Sequence, residues 1–209
     1  MDFNLSSLRK QVQVDKLDDE EFDAGVIDDF INYTMMDIWN TYELPFQEKV
    51  FQGTIPAGAT MFKLPDDLAL LQSSTLAGVP RFHDHKIAWR DFIQANSDAQ
   101  NKDPGAPGNW SLYAGNVLFD KPTDVDYNMT MYYIKKPNML KEDTDVPELP
   151  REFAELIVLG AYLRVLKRNE DFDLAQYVES EYNTQIGNLV NRYGFREASG
   201  PIKMKNKQI

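Results

Sequence analysis

The chain contains no cysteine, which excludes disulfides and thiolate metal sites and is compatible with a reducing compartment. Histidine is scarce: there are two, His83 and His85, in the run HDH. Residues two apart on a strand can face one metal ion. With no cysteine to complete a zinc set, a polar loop or strand edge explains the pair better, and no metal site is expected. Long apolar runs are missing too. The longest, residues 156–166, is interrupted by Arg164 and is too short to cross a bilayer. MDFNLSSLRK at the start lacks the apolar stretch of a signal peptide. The expectation is a soluble, unexported chain with no membrane partner.

Cations are outnumbered, 22 Lys and Arg against 33 Asp and Glu, for a net charge of -11. The summed field repels phosphate backbones, which argues against a general nucleic-acid binder. The charge is also segregated. DKLDDEEFDAGVIDD, residues 15–29, carries most of the excess acid, whereas Lys203, Lys205 and Lys207 follow Gly200 with no acid among them.

Catalytic signatures are equally scarce. The chain has no Gly-x-Ser-x-Gly turn, no Gly-x-x-x-x-Gly-Lys loop and no His-Glu-x-x-His helix. DVD at residues 124–126 and EDTD at residues 142–145 offer carboxylates for calcium, but neither continues as an ion-wrapping glycine loop, and turn chemistry explains both. No pair of carboxylates stands out as a glycosidase couple. Trp110, Tyr113, Tyr127, Tyr132 and Tyr133 are candidates for a stacking platform, although filling the core of a small sheet is the commoner use of such residues. No catalytic residue and no cofactor is expected.

What is present is a globular composition, 43% hydrophobic and 26% charged, enough to fold as one unit. Phe22, Val26, Phe30 and Tyr33 recur at helical spacing over residues 18–39, with Asp18 or Asp19 as cap, and Pro45 ends the pattern. The middle reads as strands. EKVFQGTIPAGATMFKLP predicts a hairpin, and WSLYAGNVLFDKP a second with Ala114 and Gly115 at its tip. Tyr127, Met129, Met131 and Tyr133 alternate with polar residues, the period of a half-buried strand. NSDAQNKDPGAPGN predicts an exposed loop.

Past Pro150 the pattern is helical again. REFAELIVLGAYLRVLKR is apolar almost all round and predicts a helix covered on several sides. NEDFD breaks it. A last helix starts near Asp171 or Asp173, with Leu174, Val178, Tyr182, Ile186, Leu189, Val190 and Tyr193 as its stripe and Gly194 as a left-handed cap. The fold class expected is α+β: a helical bundle, made of an N-terminal helix and two long C-terminal helices, with an inserted small antiparallel β region and an extended C-terminal tail. The division expected is a single domain over residues 1–194, helical over 1–45 and 148–194 and β-rich over 46–140, then a tail over 195–209.

FINYTMMDIWNTY, GTIPAGATMFKLPDDLALL, GNWSLYAGNVLFDKPTDVDYNMTMYYIKKPNML and DVPELPREFAELIVLGAYLRVLKRNEDFDLAQYVESEYNTQI, in that order, resemble the head-to-tail adaptor (connector, or head-completion) proteins of tailed bacteriophages. The resemblance spans roughly residues 22–193. It implies a non-enzymatic virion protein of the neck, assembled in the host cytoplasm, that binds the portal protein as a ring of 12 copies. Such a ring extends the DNA channel, lets genomic DNA pass without specific binding, and offers a platform for a tail, nozzle or stopper protein.

Ring contacts between identical copies need apolar surface, and the all-round apolar helix supplies candidates in Phe153, Ile157, Tyr162 and Leu166. The tail is the portal-docking candidate, through Phe195, Arg196, Pro201, Ile202, Lys203, Met204, Lys205, Lys207 and Ile209. The alternatives are another neck or tail part, such as a stopper or tail terminator, and an acidic glycan-binding or hydrolase module built on the aromatic sheet.

Overall fold

The computed structural model of the chain describes residues 3–17 and 22–194. The chain divides into two compact units, Met1–Gln47 with Pro137–Ile209, and Glu48–Lys136.

In the first unit, helix α1 (Leu5–Lys10) is capped by Asn4, whose side chain accepts from the Ser7 amide, and runs on into a π-helical stretch, Gln11–Leu17. Leu5, Leu8 and Val12 are its buried residues. Helix α2 (Ala24–Thr41) starts at Asp23, which accepts from the Gly25 and Val26 amides. The expected caps Asp18 and Asp19 lie outside the described residues, and the helix begins later than they would require. Its buried stripe is Ile27, Ile31, Met35 and Ile38, one residue on from the expected Val26 and Phe30 and two on from the expected Tyr33. Both series fit a 3.6 period, and burial against α1 and helix α4 (Ala154–Arg168) selects the aliphatic one. Tyr33 stays exposed.

Helix α4 is buried all round, as its composition predicts: every residue from 156 to 163 is covered, and Val165 and Leu166 with them. A tight turn with Glu170 at φ 60° leads into helix α5 (Phe172–Tyr193), whose first turn is capped by Asp171. The inner stripe of α5 is Ala175, Val178, Ile186, Leu189 and Val190, while Leu174 is exposed. Gly194 has φ -60° and ψ 142°, so it is not a left-handed cap.

The second unit holds two antiparallel three-stranded sheets. One orders strands β1 (Glu48–Ile55), β6 (Tyr127–Lys135) and β3 (Leu68–Leu76) with β6 in the centre; the other orders β2 (Met61–Lys63), β5 (Asn116–Phe119) and β4 (Trp110–Tyr113). The alternation read from the sequence holds in β6, where Tyr127, Met129, Met131 and Tyr133 are buried and Asn128 and Tyr132 exposed. β4 and β5 form the expected hairpin, and Ala114 (φ 48°) and Gly115 (φ 75°) make the positive-φ pair that a two-residue turn needs. The other expected hairpin is absent. β1 pairs with β6 and β2 with β5, so TIPAGAT carries the chain from one sheet to the other. The short helix α3 (Trp89–Ala95) was not legible as such. The loop after it contains one 3-10 turn, Ala99–Asn101.

The expected architecture of a helical bundle with one small β insertion is therefore corrected. The described residues form a mixed α+β fold with five α-helices and two sheets, and the helices do not dominate. The reason is physical. The strands bury a core of their own, with Trp110, Phe82, Phe119, Met131 and Tyr133 at its centre, and so need no helical layer to complete them.

Candidate functional site

Among the described residues, no three His, Asp or Glu side chains gather closely enough to hold a metal ion, and no helix is long and apolar enough to cross a membrane. His83 and His85 sit in a 3-10 turn, Phe82–His85, with Phe82 stacked on Trp110 at 5.0 Å. Asp124 accepts from the Tyr127 hydroxyl and Asp126 from the Ala57 amide. Asp145 accepts from the Lys141 and Glu142 amides, and those two bonds hold its carboxyl below the usual range. Asp145 is thus turn chemistry, as expected, whereas Asp126 ties its loop to the distant Ala57 and Asp124 holds a tyrosine hydroxyl.

Of the aromatic platform candidates, Trp110 is fully buried and donates from Nε1 to the Phe82 carbonyl at 2.7 Å. Tyr127 and Tyr133 are buried as well, leaving only Tyr113 and Tyr132 on the surface. The Tyr133 hydroxyl donates to Asp67, which also accepts from Lys49 at 2.6 Å. The Lys49 bond, with help from Tyr133, lowers the Asp67 carboxyl pKa, while burial raises that of the Tyr133 phenol.

The four inter-subunit candidates, Phe153, Ile157, Tyr162 and Leu166, are all buried among this chain's own helices. The tail candidates, Phe195, Arg196, Pro201, Ile202, Lys203, Met204, Lys205, Lys207 and Ile209, lie outside the described residues.

Three surface features were missed in the sequence. The first is a cleft of about 250 Å³ among α2, α4 and α5. Gly160 floors it and lets Thr34 and Tyr182 close in, since a Cβ there would overlap Thr34 and lie 2.9 Å from the Tyr182 ring. Arg164 pairs with Asp37 across the cleft and Lys167 with Glu179 at 2.9 Å. Burial, with Asp37 nearby, pushes the Tyr182 phenol up to about 12.

The second is on the β unit. Trp89 and Ile93, one turn apart on α3, are exposed, and Trp89 packs on Tyr113 at 4.9 Å. Ile93 and Met61 line a cleft of about 300 Å³. The outer face of the β1-β6-β3 sheet adds Val50, Leu70 and Tyr132. The third is the start of α5, where Phe172 and Tyr177 are 65% and 69% exposed, more than any other large hydrophobic residue described. Tyr177 falls off the helical stripe of α5, and that was the available signal.

Charge follows the division into units. Glu48–Lys136 contains nine Lys and Arg against ten Asp and Glu, whereas the helical unit contains thirteen against twenty-three. Nearly all the net negative charge belongs to the helical unit.

The family model described as SU10 adaptor protein matches residues 3–205. The chain belongs to that family. Membership in the SU10 adaptor protein family is consistent with a phage head-to-tail adaptor, a structural component of the virion. No curated protein matches the chain. In an SU10 adaptor protein of this architecture, the exposed apolar patches and the acidic helical unit are the candidate working surfaces.

Proposed function

We propose that this chain is a non-enzymatic head-to-tail adaptor that assembles as a ring of 12 copies beneath the portal, extends the DNA channel and carries the next tail, nozzle or stopper protein. The observation that carries the reading is a family match over nearly the whole chain, joined to the concentration of negative charge in one unit. In this reading the acidic helical unit faces the channel, where repulsion of phosphates lets genomic DNA slide without specific contacts. The near-neutral β unit, with Val50, Leu70, Trp89 and Tyr132 exposed, supplies apolar contacts to neighbouring copies or tail parts. Phe153, Ile157, Tyr162 and Leu166 serve the ring indirectly, by holding α4 rigid against its neighbours. Residues 195–209 dock on the portal through lysines and a few apolar anchors.

Co-sedimentation with purified portal rings tests this, comparing the full chain with one ending at Gly194. Binding in ring stoichiometry by the full chain and loss on truncation is the expected result. Failure of both chains to bind would sink the portal assignment and leave another neck or tail neighbour as the partner.

A further inference from the structure

The β1-β6-β3 sheet ends in two edges, and they are built differently. Along β3 the register against β6 slips twice, between Leu68 and Leu70 and between Leu71 and Ser73. Irregularities of this kind blunt an edge against the addition of another strand. β1 has none: all of Glu48–Ile55 pairs with β6 in one unbroken register, and the strand contains no proline. Lys49, the one charge on the Phe51 side of the strand, is already answered by Asp67.

The ladder shows which backbone groups of β1 are left over. Along an antiparallel strand, successive residues send their amide and carbonyl to opposite sides. The Ala77 amide donates to the Asn128 carbonyl and the Lys136 amide to the Asp67 carbonyl, so the even-numbered residues of β6 bond toward β3. The odd ones, Tyr127, Met129, Met131 and Tyr133, therefore bond toward β1, where they face Ile55, Gly53, Phe51 and Lys49. Glu48, Val50, Gln52 and Thr54 are left with amide and carbonyl pointing away from the sheet. Among the described residues nothing bonds to those groups, and the four side chains are exposed as well.

We propose that β1 pairs antiparallel with β1 of a second copy about a two-fold axis. One register uses all four outward residues: Glu48 stands opposite Thr54 and Val50 opposite Gln52, each pair exchanging its hydrogen bonds. In that register Lys49 faces Gly53, so no like charges are opposed, and Phe51 faces its own counterpart as a cross-strand aromatic pair. The summed field hardly opposes the contact, since the β unit has nine Lys and Arg against ten Asp and Glu. The joined sheet runs β3-β6-β1-β1-β6-β3, so it ends on both sides in the irregular strand and leaves no regular edge open. A two-fold contact closes after two copies. It therefore belongs to the free chain and does not rest on the portal ring.

Sedimentation velocity of the full chain over a concentration series is expected to show monomer in equilibrium with dimer. Gln52→Pro removes an outward amide and no bond to β6, so it should stay folded by circular dichroism and sediment as a monomer. Disulfides read the register, in a chain with no cysteine of its own. Val50→Cys and Gln52→Cys, both at exposed positions, are oxidised separately and as an equal mixture. Opposed residues of a bonded pair have Cα atoms about 5.5 Å apart, within disulfide range, so the mixture should give linked dimer several-fold above either variant alone. A full chain that stays monomeric at every concentration overturns the proposal. So does a dimer that persists in folded Gln52→Pro, or a disulfide yield no higher in the mixture than in the single variants; if the proline unfolds the β unit, the disulfide yields decide. Portal co-sedimentation is scored separately: its failure leaves the two-fold pair standing, and a monomeric free chain leaves the portal reading standing.

Discussion

Asn32 on α2 and Leu140 on the returning chain are joined by two hydrogen bonds, Asn32 Nδ2 donating to the Leu140 carbonyl at 2.9 Å and the Leu140 amide donating to Asn32 Oδ1 at 2.8 Å. Both residues are buried. A carboxamide is the one side chain of this length that offers a donor and an acceptor side by side, so it substitutes here for a strand partner. Asn32→Leu leaves the Leu140 amide and carbonyl unsatisfied in the core, and a loss of about 1–3 kcal/mol per orphaned group is expected. Urea unfolding of the variant checks it; an unchanged midpoint would show that the pair contributes nothing.

Gly160 is expected to tolerate no side chain. An added Cβ overlaps Thr34 and crowds the Tyr182 ring at 2.9 Å, an overpacking cost of about 1–3 kcal/mol that exceeds the helix-propensity gain of about 1 kcal/mol for alanine over glycine. Thr34→Ser removes the obstructing methyl. The double variant Gly160→Ala, Thr34→Ser should recover part of the loss seen in Gly160→Ala alone, measured as a coupling energy in thermal unfolding.

Trp110 and Tyr132 should behave oppositely on truncation. Trp110→Ala removes a fully buried ring and the bond to the Phe82 carbonyl, with an expected cost of about 3–5 kcal/mol to the β unit. Tyr132 is 45% exposed on the outer sheet face, and Tyr132→Ala should leave stability nearly unchanged. A glycan module would lose ligand with both, so glycan-array binding abolished by Tyr132→Ala with folding intact would restore that alternative.

Asp67 makes the β unit sensitive to acid. Its folded pKa lies below the unfolded value because Lys49 and Tyr133 donate to the carboxylate. Stability from this cluster is therefore fully present above about pH 4, the ordinary aspartate range, and is lost as pH falls through the lowered folded value. Asp67→Asn should flatten that dependence. Unfolding temperatures of both proteins between neutral and acid pH would reveal it, and identical slopes would remove Asp67 from the explanation.

Tyr182 gives the opposite signature at alkaline pH. Its phenol is pushed up to about 12 by burial, so between about pH 10, the ordinary tyrosine value, and about 12 the folded state holds a proton that the unfolded state has lost. Stability should decline with rising pH over that interval. Tyr182→Phe should lessen the decline, as read from urea unfolding across the alkaline range.

Much of the local structure was legible in the chain, because local patterns state local facts. The Tyr-Met alternation of residues 127–133, the Ala114-Gly115 turn and the apolar wrap of α4 all appear where the periodicity puts them. The candidate surfaces were less legible. Phe153, Ile157, Tyr162 and Leu166 are apolar in the way an interface is, but a helix covered by its own neighbours looks the same in one dimension. Phe172, inside a run read as a break, gave no periodic signal.

The sequence by itself determined which segments are helical or extended over most of the chain, the excess of acid and its uneven distribution, and the ordered blocks that match an adaptor family over residues 3–205. These rest on spacing, composition and order, which need no partner. Only the tertiary structure decided that β1 pairs with β6 and β2 with β5, and that Ile27 rather than Val26 faces inward. It alone left Phe172 and Tyr177 uncovered. Each of these is a choice among partners distant in sequence, made by what buries the most apolar area while satisfying the backbone, and a one-dimensional pattern is compatible with more than one answer.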